Sequence, residues 1–226
     1  MVSTSVQPTN AAPRARIAVI DDHPLVREGL AARISAQPDL EVCCEAADTE
    51  TALKLIRECK PALAIVDVAL KNGSGLDLIK ALGADGNGPR VLVVSAYDEE
   101  LFAERMLRAG AHGYVNKQEL HGSVIEAIRA VLAGDIYLSA GLAQRLASQA
   151  VAGRRSTQGL EVLSDRELQI FELIGRGAGT RQIAAQLHLS VHTVESHREH
   201  IRAKLNLRSG TELLRRAVLW TFENRT

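Results

Sequence analysis

Cysteine is scarce in this chain. Cys43, Cys44 and Cys59 are the only three, an odd number, with no C-x-x-C spacing and no histidine at metal-ligand spacing. A disulfide scaffold and a zinc module are therefore excluded as organising principles, and the expectation is buried thiols in a cytoplasmic protein, a redox switch being the lesser alternative. Long apolar runs are missing as well, since none approaches the roughly 18 residues that cross a bilayer. Net charge is also absent, with 27 Lys+Arg against 27 Asp+Glu. That zero averages two unlike halves. Residues 1–138 hold 14 basic and 19 acidic side chains, residues 139–226 hold 13 and 8, so a front of −5 precedes a back of +5. Only the back half is suited to a polyanion. The first thirteen residues, rich in Ser, Thr, Asn and Pro without an apolar core, read as a disordered lead-in and not as a signal peptide.

What is present begins with Pro61-Ala62-Leu63-Ala64-Ile65-Val66-Asp67. A short unbroken apolar run between a proline and a carboxylate predicts a strand buried on both faces of a parallel sheet, with Asp67 at its C-terminal end. Similar strands are predicted over Arg16–Ile20, Glu41–Glu45, Val91–Ser95 and Gly113–Val115. Helices are predicted after each, from Pro24 (with Leu25, Val26, Leu30 and Ile34 inward), over Thr49–Cys59, Leu76–Leu82, Glu99–Ala109 and Leu120–Ala133. Five strands alternating with five helices imply an α/β fold, a parallel sheet covered on both sides.

Asp21-Asp22, Asp67, Ser95 and Lys117 then fall at strand ends, along one edge of the sheet. Singly, each has an ordinary reading: a helix cap for the aspartates or Ser95, a solvated side chain for Lys117. Together they describe a site. Three converging carboxylates require a cation, and oxygen-only ligands favour Mg2+. A lysine and a hydroxyl opposite suit two oxygens of a phosphoryl group on Asp67, and the chemistry is carboxylate attack on a phosphoryl donor.

On these residues, 16–133 resembles the receiver domain of bacterial two-component response regulators. Asp21-Asp22 match the acidic pair, Asp67 the phosphoacceptor, Ser95-Ala96 the switch hydroxyl, Lys117 the invariant lysine and Tyr114 the switch aromatic. The resemblance implies a flavodoxin-like strand order 2-1-3-4-5. It implies Mg2+ on Asp22, Asp67 and the Ala69 carbonyl, with Asp21 acting through water, and inward movement of Ser95 and Tyr114 on activation. Lys71 and Gln118 stand where proline is common in the family, away from any reacting group. Ala69 and Tyr97 flank the path of an attacking water.

Residues 139–159 read as a linker with partial helix. Leu142, Leu146 and Ala150 make an apolar stripe that would continue the preceding helix to about Val151, and Gly153–Gly159 is polar and without periodicity. Beyond it, residues 160–226 read as four short helices, a small all-α domain. Ser164 with Glu167 is a capping box, Thr180 and Ser190 are expected caps, and Ser209 with Glu212 is a second box. Leu168, Phe171 and Ile174, then Ile183, Ala184 and Leu187, then Val194, Ile201 and Leu205 are the expected inward faces. The middle pair, joined through His188-Leu189-Ser190, describe a helix-turn-helix. Candidate DNA contacts are Thr180, Arg181, Ser190, Thr193, Glu195, Ser196, His197, Arg198, Glu199, Arg202 and Lys204: Glu195, Ser196 and Glu199 for readout, Arg198, Arg202 and Lys204 along the same helix, Thr193 and His197 for phosphate.

Leu163–Glu167, Gln182-Ile183-Ala184, Leu189-Ser190, Thr193-Val194-Glu195, His197 and Lys204-Leu205 make 161–219 resemble the LuxR-type DNA-binding domain, with Gly210 departing where arginine is common. The whole chain thus resembles a response regulator of the NarL/FixJ class. That implies phosphate accepted from a cognate sensor histidine kinase, double-stranded promoter DNA as target, a homodimer when phosphorylated, RNA polymerase as a further contact, and no membrane. Three rivals differ in class: a constitutive DNA-binding protein, a phosphohydrolase turning over through Asp67 (against which Ala69 stands where a second aspartate is needed), and a protein-binding scaffold.

Overall fold

The computed structural model describes residues 13–70, 73–84, 86–97, 99–152 and 159–223. The N-terminal lead-in, Lys71 and the polar linker segment 153–158 lie outside them. Five strands, β1 (Ala15–Ile20), β2 (Leu40–Ala46), β3 (Leu63–Val66), β4 (Arg90–Ser95) and β5 (Gly113–Asn116), form one parallel sheet in the order β2-β1-β3-β4-β5. This is the expected order. Helices α1 (Pro24–Ser35), α2 (Thr49–Cys59), α3 (Gly75–Gly83) and α4 (Glu99–Arg108) make the crossovers, and α5 (Leu120–Ala133) follows the last strand.

Alternation along each strand sends side chains to two cores. Ile17, Val19, Leu63, Ile65, Leu92 and Val94 pack under α1 and α5 against Leu30, Ile34, Val124 and Ile128. Ala18, Ile20, Ala64, Val66, Val91 and Val93 pack on the other face under α2, α3 and α4, against Ile56, Ile79, Phe102 and Met106. Each fully buried aliphatic side chain here contributes about 1.5–3 kcal/mol. Leu25, expected inward, is exposed, because Pro24 starts the helix at a point where Val26, Leu30 and Ile34 turn toward the sheet.

The helix after α5 is separate, not a continuation. Gly134 takes φ 106° and closes α5 by accepting the left-handed cap. Tyr137 then forms a parallel bridge with Gly113 at the sheet edge, and α6 (Ala140–Ala152) begins only after that pairing.

The second unit comprises α7 (Asp165–Gly175), α8 (Thr180–Gln186), α9 (Val191–Lys204) and α10 (Gly210–Glu223). The Ser164–Glu167 capping box is present in both directions. Ser190 caps α9 by accepting from the Thr193 N–H. Thr180 is not a cap. Gly179 occupies that position, and Gln182 accepts its N–H at 2.8 Å, which leaves the Thr180 hydroxyl to bond elsewhere. Ser209 accepts the Glu212 N–H, but the Glu212 carboxylate reaches one residue further back, to the Arg208 N–H. Helix α7 carries more than one apolar stripe: Leu168, Ile170, Phe171, Leu173 and Ile174 are all buried, as are Glu167, Gln169 and Glu172. It is enclosed because α9 and α10 cover one side and the first unit covers another.

Where α7 crosses α10, a Cβ on Gly175 would lie 2.2 Å from Thr221 Oγ1 and 2.6 Å from the Ala217 carbonyl oxygen. Helix propensity alone would favour alanine there by about 1 kcal/mol, whereas forcing apart a packed crossing costs about 1–3 kcal/mol. Gly175→Ala is expected to lower the urea midpoint, with a net loss of about 1 kcal/mol. An unchanged or raised midpoint would contradict this packing.

Candidate functional site

A parallel sheet brings the C-terminal ends of β1, β3, β4 and β5 to one edge, and these strands end on Asp21-Asp22, Asp67, Ser95 and, one residue after β5, Lys117. Asp21 and Asp67 are buried. The Lys117 ammonium lies between them, Nζ being 2.7 Å from Asp21 Oδ2 and 2.7 Å from Asp67 Oδ2. The Ala69 N–H approaches Asp67 Oδ1 at 3.4 Å. Ser95 is buried and its Oγ accepts the Tyr97 N–H at 3.1 Å, so its own proton is still available to an incoming oxygen.

One ammonium shared by two buried carboxylates leaves negative charge in excess. Burial pushes the Asp67 carboxyl up to about 7, with the Lys117 charge working against the shift and the Asp21 charge adding to it. Burial alone would lower the Lys117 pKa, but Asp67 and Asp21 reverse this and raise it. The third carboxylate, Asp22, completes the cluster. Ligand atoms of Asp21, Asp22, Asp67 and His23 all lie within 4.8 Å of one another. A mainly oxygen donor set with net negative charge fits a hard divalent cation of the Mg2+ kind. His23 was not among the residues expected from the sequence. Its N–H donates to Asp21 Oδ1 at 2.8 Å and its Nδ1 lies 2.7 Å from Asp22 Oδ1. Its place directly after the acidic pair was the signal.

Tyr114 is already inside. It is 1% exposed and donates its hydroxyl to the Tyr97 carbonyl at 3.0 Å. This is the inner position that the resemblance implies for the switch aromatic after activation.

In the helix-turn-helix, α9 exposes Glu195 and Glu199, with Thr193, Ser196, Arg198 and Arg202 half-exposed beside them; Arg181 and Ser190 are exposed at the starts of α8 and α9. Several of these side chains are tied to one another. The Thr180 hydroxyl donates to Glu195 at 2.7 Å, Arg198 sits 3.7 Å from Glu195, and Arg202 sits 3.7 Å from Glu199. Two of the expected DNA contacts are engaged within the domain. Lys204 is exposed, and its Nζ lies 2.6 Å from Glu167, balancing a buried carboxylate. His197 is half-buried with its Nδ1 enclosed, and burial lowers its pKa. It packs beside Glu167 and His200.

The two units also touch, through residues the sequence did not single out. Arg105 of α4 donates to the Leu163 carbonyl at 2.9 Å and to Asp165 at 2.8 Å. Arg176, at the end of α7, reaches the Ala96 carbonyl at 3.4 Å. His188, in the turn between α8 and α9, has Nε2 3.6 Å from Asp22 Oδ2. Tyr97, Phe102 and Met106 share one continuous apolar cluster with Leu163, Leu168 and Phe171. Such contacts join residues some sixty to a hundred and sixty positions apart, and no local pattern announces them.

Comparison with known proteins agrees with this layout. The family described as the response regulator receiver domain matches residues 17–129, and the family of bacterial regulatory proteins called the luxR family matches residues 161–217. The oxygen regulatory protein NreC of Staphylococcus epidermidis is 34% identical over 210 residues, covering 90% of this chain and 96% of that protein. A LuxR-family two-component response regulator from an Aurantimonas species is 35% identical, with a TM-score of 0.57, over 61% of this chain and 99% of its own. RcsB of Salmonella enterica serovar Typhimurium, solved bound to a promoter with the phosphomimetic BeF3−, shares the fold at 22% identity and a TM-score of 0.59, over 90% and 98% of the two chains. The chain belongs to the two-component response regulators in which a receiver domain precedes a LuxR-family DNA-binding domain, and it is a phosphorylation-controlled, DNA-binding transcription regulator.

Proposed function

We propose that Asp67 is the phosphoacceptor and that its modification, by a cognate sensor histidine kinase, releases the helix-turn-helix for promoter binding in the cytoplasm. The observation that carries this reading is the Lys117 ammonium 2.7 Å from both Asp21 and Asp67 at the carboxyl edge of the sheet. An Asp67 carboxylate oxygen attacks phosphorus, the new O–P bond forms as the N–P bond of the phosphohistidine breaks, and the imidazole leaves with its electron pair. Lys117 meets one oxygen of the transferred group and the Ser95 hydroxyl donates to another. Mg2+, held by Asp21, Asp22, Asp67 and the Ala69 carbonyl, would supply the positive charge that this pocket lacks. The phosphate stays on the protein's own side chain, so no turnover of an external substrate is expected.

Recruitment of Ser95 alters the segment Ser95–Tyr97, and that segment is where Arg176 of α7 is anchored and where Tyr97 packs. Loosening it weakens the hold on α7, and with it the His188 contact to Asp22 and the Arg105 contact to Asp165. Freed copies then bind two half-sites as a dimer. Glu195, Ser196 and Glu199 are the candidates for base readout, and Arg181, Arg198 and Arg202 for phosphate.

Three outcomes follow. After incubation with Mg2+ and a small acyl phosphate, intact mass should show one phosphoryl group on the wild type and none on Asp67→Asn; equal labelling of both would remove Asp67 from the role. Linkage gives a second. A carboxyl whose folded pKa is raised keeps its proton when the unfolded chain has lost it, so its ionisation erodes stability as pH rises from about 4 to about 7. Without divalent cation, Asp67→Asn should thus be more stable than wild type at pH 8, with the advantage vanishing near pH 4 in urea titrations. Thirdly, Arg105→Ala removes a partly exposed charged anchor. It should raise the DNA affinity of the unphosphorylated protein by about 3–10-fold, through the larger fraction of open molecules, as read by fluorescence anisotropy at fixed salt. Unchanged affinity would mean that docking does not limit binding.

A further inference from the structure

Neighbouring residues in a regular strand point to opposite faces, so Cys43 and Cys44 should not share a ligand. Strand β2 is not regular here. Ile17 pairs with Val42 and Ala18 with Cys44, which leaves Cys43 without a partner in β1. A bulge of this kind places one extra residue in the strand and breaks the alternation locally. Cys59, the last residue of α2, reaches the same spot from the covering helix. The three Sγ atoms lie within 4.8 Å of one another. All three cysteines are free and half-buried, open enough to admit an ion. Cys59 Sγ also hydrogen-bonds the Cys43 carbonyl at 3.5 Å, and Cys43 Sγ the Ile17 carbonyl at 3.4 Å, which fixes two of the side chains toward the bulge.

We propose that Cys43, Cys44 and Cys59 form a three-sulfur site for a soft monovalent cation of the copper(I) type. The donor set decides the class. Hard cations take oxygen, and the group holds no oxygen or nitrogen ligand. A structural zinc site is closed by four ligands, whereas thiolates in low number select copper(I). A disulfide would use two sulfurs and leave the third idle. Binding replaces S–H by S–Cu bonds, the thiol protons pass to solvent, and the metal stays monovalent throughout. The site lies between β2 and α2, separate from the carboxylates at the ends of β1 and β3, so phosphoryl acceptance and metal capture use different atoms.

The test uses the reduced full-length chain under anaerobic conditions, titrated with copper(I) against a coloured copper(I) chelator. One equivalent should be withdrawn from the chelator, with a thiolate-to-copper charge-transfer band in the near ultraviolet. Cys44→Ala and Cys59→Ser should each weaken the affinity by roughly tenfold or more, with unchanged circular dichroism. A readout without variants is alkylation counted by intact mass, in which one equivalent of copper(I) should protect three thiols. No withdrawal of copper, equal withdrawal by the triple Cys→Ser chain, or protection of two thiols only would overturn the site. So would a disulfide in the air-exposed protein combined with no copper uptake after reduction.

Discussion

Everything in the first unit converges on a single ammonium shared between two buried carboxylates. Lys117 comes from the end of β5 and meets Asp21 and Asp67 from β1 and β3. Parallel strands make this meeting unavoidable, because all their carboxyl ends lie on one edge. With Asp22 alongside, up to three negative charges face one positive charge, and burial rather than any single neighbour accounts for the raised Asp67 pKa. The pocket is short of positive charge by construction. A fully balanced pocket would be more stable and would have no need of a cation, and a phosphoryl group carrying its own negative charge could not enter without one.

The charge asymmetry between the halves of the chain does not by itself account for how they dock. His188 against Asp22 follows the overall sense, a group from the cationic half meeting the acidic pocket. Arg105 against Asp165 runs the other way, the receiver supplying the cation and the DNA-binding half the anion. Both arginine anchors, Arg105 and Arg176, bond backbone carbonyls as well, which fixes position in a way that net charge cannot. The apolar cluster running from Phe102 and Met106 to Leu168 and Phe171 supplies the bulk of the adhesion, and the charged contacts set its register.

The sheet was legible because its strands are short apolar runs whose residues are buried on both faces, and the strand-end polar residues followed from them. Asp21, Asp22, Asp67 and Lys117 come together as the order of elements requires. What escaped was decided by partners far off in sequence. The stripe Leu168, Phe171 and Ile174 marks one side of α7, but Ile170 and Leu173 are buried as well, because a second unit covers the other side. Lys204 and His197 fit a DNA-facing pattern by spacing, yet Lys204, though exposed, is also paired with Glu167, and packing encloses Nδ1 of His197. Thr180 lost its cap to Gly179 by one residue, within the tolerance of any capping signal. Cys43 and Cys44 read only as buried thiols, since a register shift between two strands leaves no mark in either strand's composition.

The route from phosphate to DNA is constrained by sign. His188 lies two residues before Ser190, the cap of α9, whose N-terminal turn is the part of a recognition helix that enters the major groove. Held 3.6 Å from Asp22, that turn sits beside three carboxylates, where DNA phosphates are repelled. Adding a phosphoryl group to Asp67 makes the pocket more negative still, so electrostatic repulsion cannot expel a cationic half that is attracted to it. Cation binding pulls the opposite way, by partly neutralising Asp22. Under the proposed mechanism release is then transmitted by shape, and Ser95-Ala96-Tyr97 joins the hydroxyl proposed to meet the phosphoryl group to the docked helix. Ser95 faces the phosphoryl site, the Ala96 carbonyl holds Arg176, and the Tyr97 carbonyl holds Tyr114 while its ring packs on Phe102. On the proposed mechanism a movement of these three residues at the end of β4 would act on the chemistry and on the interface together.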